Sequence, residues 1–278
     1  MKIKANAKIN LTLDITGVRE DGFHTLSSVM APITLCDELV IEKSDELSFD
    51  CNIPSLCDDK NLCVRAAKLF FESLNTDERA SIYLEKNIPF PAGLGGGSAD
   101  AAAVLRGLNS LFGNILDEKV LYSLAERLGS DVPLCLYNKP SLCEGRGEIL
   151  TPIKRLPKLD IVIAIGKARL STPEVYLEYD KARLPVKDDT SSLLKALDSG
   201  NTDEIIKTFG NAFEPITDIL APETKQLREK MIESGAKNSR LSGSGPSVYG
   251  VFDSAENAKK TAKALEDMGY FAVYCQTL

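Results

Sequence analysis

Four glycines fall within five residues in the segment Pro91-Ala92-Gly93-Leu94-Gly95-Gly96-Gly97-Ser98, directly before an alanine-rich run. Residues without a side chain reach positive φ and let backbone approach a ligand closely. A helix opening immediately afterwards aims its unsatisfied N–H groups, and the positive end of its dipole, at an anion. The run from Ser98 to about Phe112 predicts such a helix, with Ser98 as N-cap and Asp100 in the first turn. Ala101, Leu105, Leu108 and Leu111 or Phe112 face inward, and Gly113 lies just past the end. Ser81–Lys86 predicts a strand leading in. The whole reads as a strand–loop–helix cradle for a polyphosphate. No Lys-Ser/Thr pair follows the last glycine, so the loop is not of the Walker A type. The G-x-G-x-x-G register also fails, which weighs against a dinucleotide-dependent oxidoreductase. Taken alone, a flexible turn between strand and helix explains the glycines equally well.

Bulk properties narrow the chemistry. The net charge of −7 and pI of ≈ 5.0 exclude a broad basic surface for nucleic acid, so anion binding must be local. A chain of 278 residues fits one large domain or two moderate ones and buries a core without staples. Its seven cysteines (Cys36, Cys51, Cys57, Cys63, Cys135, Cys143 and Cys275) are odd in number and contain no C-x-x-C pair. They are expected to be reduced thiols, mostly buried. One histidine and no ligand pairs argue against a zinc site. The start, Met1-Lys2-Ile3-Lys4-Ala5-Asn6, has no apolar signal core, and no run approaches the length of a membrane span. A cytoplasmic location is therefore expected.

Period-two alternation of Ile3, Ala5, Ala7, Ile9, Leu11, Leu13 and Ile15 predicts one long strand ending at Gly17. A second β region is expected over Leu39–Phe49. Helices are expected over Asn61–Leu74, with Leu62, Ala66, Leu69 and Phe70 on one stripe, and over Lys119–Leu128, stopped by Gly129. A linker at Ile153–Lys158 precedes an apolar strand at Leu159–Ile165, which suggests two domains, 1–155 and 156–278. Further helices are expected near Pro173–Tyr179, Ser191–Leu197, Asp203–Phe209, Glu223–Ser234 and Ala255–Met268, and strands at Ser247–Phe252 and Phe271–Gln276. This ending predicts an α+β fold rather than a doubly wound sheet.

Three features bear on the loop. Lys8 lies inside the alternating strand; by itself it reads as an outward-pointing residue of an edge strand. Asp131, in Gly129-Ser130-Asp131-Val132-Pro133, by itself reads as a turn or capping residue. Leu241-Ser242-Gly243-Ser244-Gly245-Pro246 is a second Gly/Ser loop.

Together these segments resemble the GHMP kinase superfamily, which includes galactokinase and the homoserine, mevalonate and phosphomevalonate kinases. The resemblance rests on Pro89-Phe90-Pro91-Ala92-Gly93-Leu94-Gly95-Gly96-Gly97-Ser98-Ala99-Asp100-Ala101-Ala102, with Ala7-Lys8-Ile9-Asn10-Leu11, Asp21-Gly22-Phe23-His24-Thr25-Leu26, Asn61-Leu62 with Arg65-Ala66-Ala67, Glu144-Gly145-Arg146-Gly147-Glu148 and the Leu241–Gly245 loop in family order. It implies a two-domain α+β GHMP kinase fold with the active site in the cleft between domains. It also implies phosphoryl transfer from ATP, with Mg²⁺, to an alcohol. The Asp-Gly-Phe-His segment and the triple glycine resemble the branch whose acceptor is the C2 hydroxyl of a cytidine diphosphate conjugate.

By that resemblance Asp131 is the general base and Lys8 neutralises charge on the transferring group. ATP contacts fall on Pro89, Phe90, Pro91, Ala92, Gly93, Leu94, Gly95, Gly96, Gly97, Ser98 and Ala99, with Asn61 and Lys86 on the adenosine side. Mg²⁺ is expected to be held mainly by ATP and water, with Ser98 as the candidate protein ligand. Phe23 and Tyr176 sandwich the cytosine, where the familiar order is Tyr then Phe, and His24 reads its edge. Asn10, Thr172, Gly243 and Ser244 lie near other polar groups of the substrate. The partner is a small molecule, with no nucleic acid or membrane, and the protein is a monomer or weak homodimer. Another GHMP kinase of homoserine or mevalonate type, or a non-catalytic ligand sensor on this fold, remains open.

Overall fold

The computed structural model describes residues 1–74 and 76–278. Contacts divide them into two compact units. Unit 1 comprises Met1–Lys8, Leu35–Pro89 and Gly95–Lys139; unit 2 comprises Ile9–Thr34, Phe90–Leu94 and Pro140–Leu278.

The first strands are β1 (Lys2–Asn10), β2 (Thr12–Val18) and β3 (His24–Ser44). The single strand expected over residues 3–15 is thus two, interrupted at Leu11. The alternation correctly puts Ala5, Ala7, Ile9, Leu11, Leu13 and Ile15 inside. The opposite face is buried as well: Lys8, Asn10, Thr12 and Asp14 are only 5%, 1%, 0% and 2% exposed. Lys8 therefore does not point into solvent from an edge. β3 is far longer than the expected Leu39–Phe49 region, because Pro32 and the polar stretch at its start hide the pattern.

Unit 1 continues with β4 (Ser48–Cys51), α1 (Leu62–Leu74), β5 (Arg79–Glu85), α2 (Gly96–Leu111), α3 (Glu118–Leu128) and α4 (Val132–Tyr137). β5 pairs antiparallel with the second half of β3, from Glu38↔Glu85 to Ser44↔Arg79, and parallel with β4. Helices bury Phe70, Ala101, Ala102, Leu105, Leu108 and Leu124 against Leu39, Ile41, Ile82 and Leu84 of this sheet. The alanines of α2 let the backbones of α1 and α4 approach it closely.

In unit 2, β2 runs antiparallel to the first half of β3, with a bulge between Ile15 and Gly17. β6 (Ser141–Gly145) pairs with β3 from Leu26↔Gly145 to Met30↔Ser141, and β7 (Ile149–Pro152) closes a hairpin on β6. β8 (Asp160–Ile165), α5 (Thr172–Ala182), α6 (Asp189–Ser199), α7 (Thr202–Lys207), β9 (Gly210–Asn211), α8 (Glu214–Leu220), α9 (Pro222–Glu233), β10 (Asn238–Leu241), β11 (Val248–Phe252), α10 (Ala255–Asp267) and β12 (Phe271–Gln276) follow. The second sheet is antiparallel throughout, in the order β10-β11-β8-β12, and α9 and α10 pack on it. Ile161, Val162, Ile163 and Ala164 on successive positions of β8 are all fully buried. A strand covered on both faces reads as a continuous apolar run, which is why this one is visible in the sequence. Residues 153–158, the expected linker, fall inside unit 2.

Candidate active site

In unit 1, Lys8 Nζ lies 3.4 Å from Asp131 Oδ2. The ammonium is buried, whereas the Asp131 side chain is 31% exposed. Asp131 stands at the N-cap position of α4 but makes no side-chain capping bond. Its carboxylate is therefore not used up by the helix and faces both the lysine and solvent. The turn-or-cap reading is wrong in the part that matters: the backbone turns there, but the side chain has another partner.

The glycines hold this pair in place. Gly95, not Ser98, precedes the first residue of α2 and adopts φ +68°. Ser98 is the third helical residue, and no acidic residue occupies the first turn. The open N–H groups of the helix thus begin at the glycines themselves, where no side chain covers them. A Cβ on Gly95 would sit 2.9 Å from Lys8 Cγ and 3.1 Å from Lys8 Cε. Gly97 differs: its nearest neighbour for a Cβ is Leu62 Cδ1 at 3.5 Å, an ordinary contact. Gly95→Ala is expected to lose about 1–2 kcal/mol from the left-handed conformation alone, and more by displacing Lys8. Gly97→Ala is expected to gain up to about 1 kcal/mol from helix propensity. Thermal melts of the two variants check this contrast; equal shifts would contradict it.

Beneath the loop lies a buried charge cluster. Lys86 Nζ donates to Asp37 Oδ2 and, at 2.8 Å, to Asp100 Oδ2. Asp37 Oδ1 also accepts from Asn87 N at 2.5 Å and Ile88 N at 2.7 Å. A Cβ on Gly96 would sit 3.2 Å from Lys86 Nζ, so the ammonium supports the first turn of α2 directly. Burial lowers the Lys86 pKa, but the two carboxylates more than offset this and leave it raised. Asn61, expected on the adenosine side, caps α1: its Oδ1 accepts from Cys63 N at 2.8 Å, and its Nδ2 donates to Leu56 O at 2.9 Å.

Asp100 has one buried oxygen, Oδ1, without a hydrogen-bond partner. Burial pushes its carboxyl up to about 8 against the pull of Lys86, and the negative charge of Asp37 adds to the rise. In the unfolded chain the group titrates near pH ~4. Between about pH 4 and pH 8 the folded state therefore keeps a proton that the unfolded state releases, and stability falls as pH rises, by at most about 1.4 kcal/mol per pH unit. Asp100→Asn mimics the neutral form and is expected to flatten this slope. Urea midpoints at about pH 5 and about pH 8 measure it; an unchanged slope would contradict the assignment.

In unit 2, the other part of the glycine segment packs against the second Gly/Ser loop. Gly93 has φ +74°, and a Cβ on it would collide with Ser242 O and sit 3.1 Å from Gly245 N. Ser242 Oγ donates to Gly93 O at 3.1 Å, and the N–H and hydroxyl of Ser247 both donate to Ala92 O. Gly93 is thus required by a backbone-to-backbone approach, not by room for an anion. Asn211, fully buried, donates from Nδ2 to Leu241 O at 3.0 Å and Gly243 O at 2.9 Å and so fixes the second loop. Sequence reasoning missed it; its signal was a lone asparagine between apolar neighbours. Ser244 Oγ and Thr172 Oγ1 are 2.8 Å apart.

Tyr176, His24 and Phe23 also belong to unit 2. The Tyr176 ring meets that of His24 at 4.8 Å and that of Phe213 at 4.7 Å. Phe23 is 57% exposed, with the Arg146 guanidinium 5.5 Å from its ring centre. Asn10 Nδ2 donates to Ser28 Oγ at 2.9 Å, its side chain on the same face of β1 as Lys8, two residues away. A polar cavity of ≈ 400 Å³ in unit 2, lined among others by Lys187, Lys207 and Arg240, contains none of the expected site residues.

No group of three or more His, Cys, Asp or Glu side chains suited to a metal occurs among the described residues. The Ser98 hydroxyl, in the first turn of α2, is an oxygen donor suited to an ion that arrives on a phosphate ligand. Cys135, one turn beyond Asp131, is buried, and burial pushes its thiol up to about 12, so it stays protonated and unreactive.

The chain matches known proteins along most of its length. The family model described as GHMP kinases N terminal domain matches residues 61–139, and the one described as GHMP kinases C terminal matches residues 193–270. The 4-diphosphocytidyl-2-C-methyl-D-erythritol kinase of Clostridium tetani is 41% identical over 271 residues, covering 95% of this chain and 96% of its own. The protein of the same name from Caldicellulosiruptor saccharolyticus is 40% identical, covering 96% and 93%. A crystal structure of 4-(cytidine 5'-diphospho)-2C-methyl-D-erythritol kinase superposes with TM-score 0.86 at 34% identity, over 99% of this chain and 98% of that one.

Proposed function

Because the chain belongs to the GHMP kinases, and within them to the 4-diphosphocytidyl-2-C-methyl-D-erythritol kinase family, we propose that it transfers the γ-phosphoryl group of ATP to the C2 hydroxyl of 4-(cytidine 5'-diphospho)-2-C-methyl-D-erythritol. The observation that carries this reading is the Lys8–Asp131 pair, 3.4 Å apart, with the Lys8 stem against Gly95 at the start of α2. Phosphoryl transfer asks mainly for alignment and charge stabilisation, which such a site supplies.

The polyphosphate meets the bare backbone N–H groups at the start of α2, a local electropositive device open to an acidic protein. Mg²⁺ would arrive on ATP and supply charge neutralisation of its phosphates, and the Ser98 hydroxyl would be the protein oxygen that holds it. Asp131 accepts the proton of the C2 hydroxyl as the new P–O bond forms and the bond to the β-phosphate oxygen breaks, releasing ADP. Lys8 faces the charge on the transferring group. Phe23 and Tyr176 stack on the cytosine; His24, Asn10, Thr172 and Ser244 contact polar groups of the acceptor.

Tyr176→Ala is expected to weaken binding of the cytidine conjugate about 5- to 150-fold, the equivalent of about 1–3 kcal/mol of base stacking, while Tyr176→Phe keeps most of it. Calorimetric titration checks this; unchanged affinity in Tyr176→Ala would remove Tyr176 from the pocket. The acceptor itself is tested by coupled ADP release with the cytidine conjugate, mevalonate, homoserine and no acceptor. Stimulation by the cytidine conjugate alone is expected. Stimulation by mevalonate or homoserine instead would move the protein to another branch, and none at all would make it a sensor. No helix among the described residues is long and apolar enough to cross a membrane. The reading is of a cytoplasmic enzyme, monomeric or weakly dimeric.

A further inference from the structure

Asp180 was not singled out by any motif, yet it completes a stripe on α5. Thr172, Tyr176 and Asp180 are spaced i, i+4, i+8, which places them on one face of the helix. Thr172 meets Ser244, while Tyr176 and Asp180 both meet His24: Tyr176 packs between His24 and Phe213, and Asp180 Oδ1 lies 2.7 Å from His24 Nε2.

We propose that Asp180 determines which pyrimidine base the protein accepts, by fixing the tautomer of His24 so that Nδ1 offers an acceptor to the 4-amino group of cytosine. This rests on the function proposed above. A carboxylate can only accept a hydrogen bond, so the proton of the neutral imidazole must sit on Nε2. The other nitrogen, Nδ1, then carries a lone pair. No protein group among the described residues hydrogen-bonds Nδ1, although the His24 side chain is only 9% exposed. Tyr176 holds the ring from one side at 4.8 Å, and the residue is anchored in the sheet by the pairing of His24 with Val18. A fixed, half-satisfied ring in a largely buried place is suited to reading a ligand. An acceptor there complements the amino group at C4 of cytosine and opposes the carbonyl at C4 of uracil. Asp180 is thus a positioning residue: it acts through His24 and, half exposed itself, has room to be replaced without disturbing the core.

His24 is the sole histidine, so the imidazole ¹⁵N spectrum of the labelled protein contains only its two ring nitrogens. At a pH where the ring is neutral, the wild type is expected to show the Nε2–H tautomer. Asp180→Asn, whose amide can donate to Nε2, is expected to shift the population toward Nδ1–H. The ratio of kcat/KM for the cytidine conjugate over its uridine analogue is expected to fall at least about tenfold in this variant, equivalent to about 1.4 kcal/mol. The change should reside in KM for the conjugate rather than in KM for ATP, and Asp180→Glu should restore both spectrum and ratio. An Nδ1–H tautomer in the wild type, or an unchanged ratio in Asp180→Asn, would overturn the inference. Turnover of neither conjugate by the wild type would overturn the functional reading instead, and the spectrum, recorded without substrate, distinguishes the two failures.

Discussion

Asp131→Asn is expected to lower kcat by about 10²- to 10⁴-fold, the range for loss of a positioned acid–base group, and still to melt cooperatively. The replacement is isosteric, and the side chain is partly exposed and caps no helix. Its Oδ1 can still accept from Lys8, so the buried ammonium keeps a partner. Lys8→Met is expected to reduce kcat at least as strongly, because it keeps the apolar stem against Gly95 and removes only the charge. Activity and melting measured on the same preparations separate loss of chemistry from loss of fold. Near-normal turnover in either variant would contradict the roles given to the pair.

Lys86→Met is expected to cost about 3–5 kcal/mol of stability, the price of leaving the buried Asp37 carboxylate without its ammonium and Asp100 without its donor. Asp37 is wholly buried and Asp100 nearly so. The two carboxylates converge on one ammonium, which in turn underlies Gly96. The triple variant Lys86→Met, Asp37→Asn, Asp100→Asn is expected to recover most of the loss. An asparagine at position 37 can still accept from the N–H groups of Asn87 and Ile88. Urea unfolding of both variants measures the difference. A loss under about 1 kcal/mol in Lys86→Met would mean that the cluster is not a structural anchor for the loop.

How much of this was legible in the sequence depends on the physical signal each element carries. α2 and β8 were readable from their apolar patterning. The first half of β3 and the hairpin of β6 and β7 were not, since their partners supply what their own composition lacks. The strand carrying Lys8 was found by its apolar face, but alternation implies a wet opposite face. Here that face is buried, and its polar residues Lys8, Asn10, Thr12 and Asp14 meet partners from segments distant in sequence.

The candidate site divides in the same way. The glycine loop was legible as a cradle, but the reason for individual glycines was not: Gly93 faces backbone, Gly95 faces Lys8, and Gly97 has room. Ser98 was misplaced as a cap because an N-cap glycine in the left-handed region has no side chain to announce it. Asp37, Asn211 and Asp180 were missed altogether. Each gains its meaning from a partner at least 30 residues away, which no local pattern encodes. The identity of the acceptor came from the resemblance and the relatives, not from periodicity or charge.

The most direct test of the central claim is the ³¹P spectrum of the product formed from ATP and the cytidine conjugate by the wild-type protein. C2 of the methylerythritol unit carries a methyl group and no hydrogen. A phosphate transferred there gives a new monoester resonance without vicinal coupling to a proton on the ester carbon, alongside ADP in equal amount. That singlet is the expected result. A monoester split by protons on its ester carbon, or ADP release with no new monoester, would contradict it.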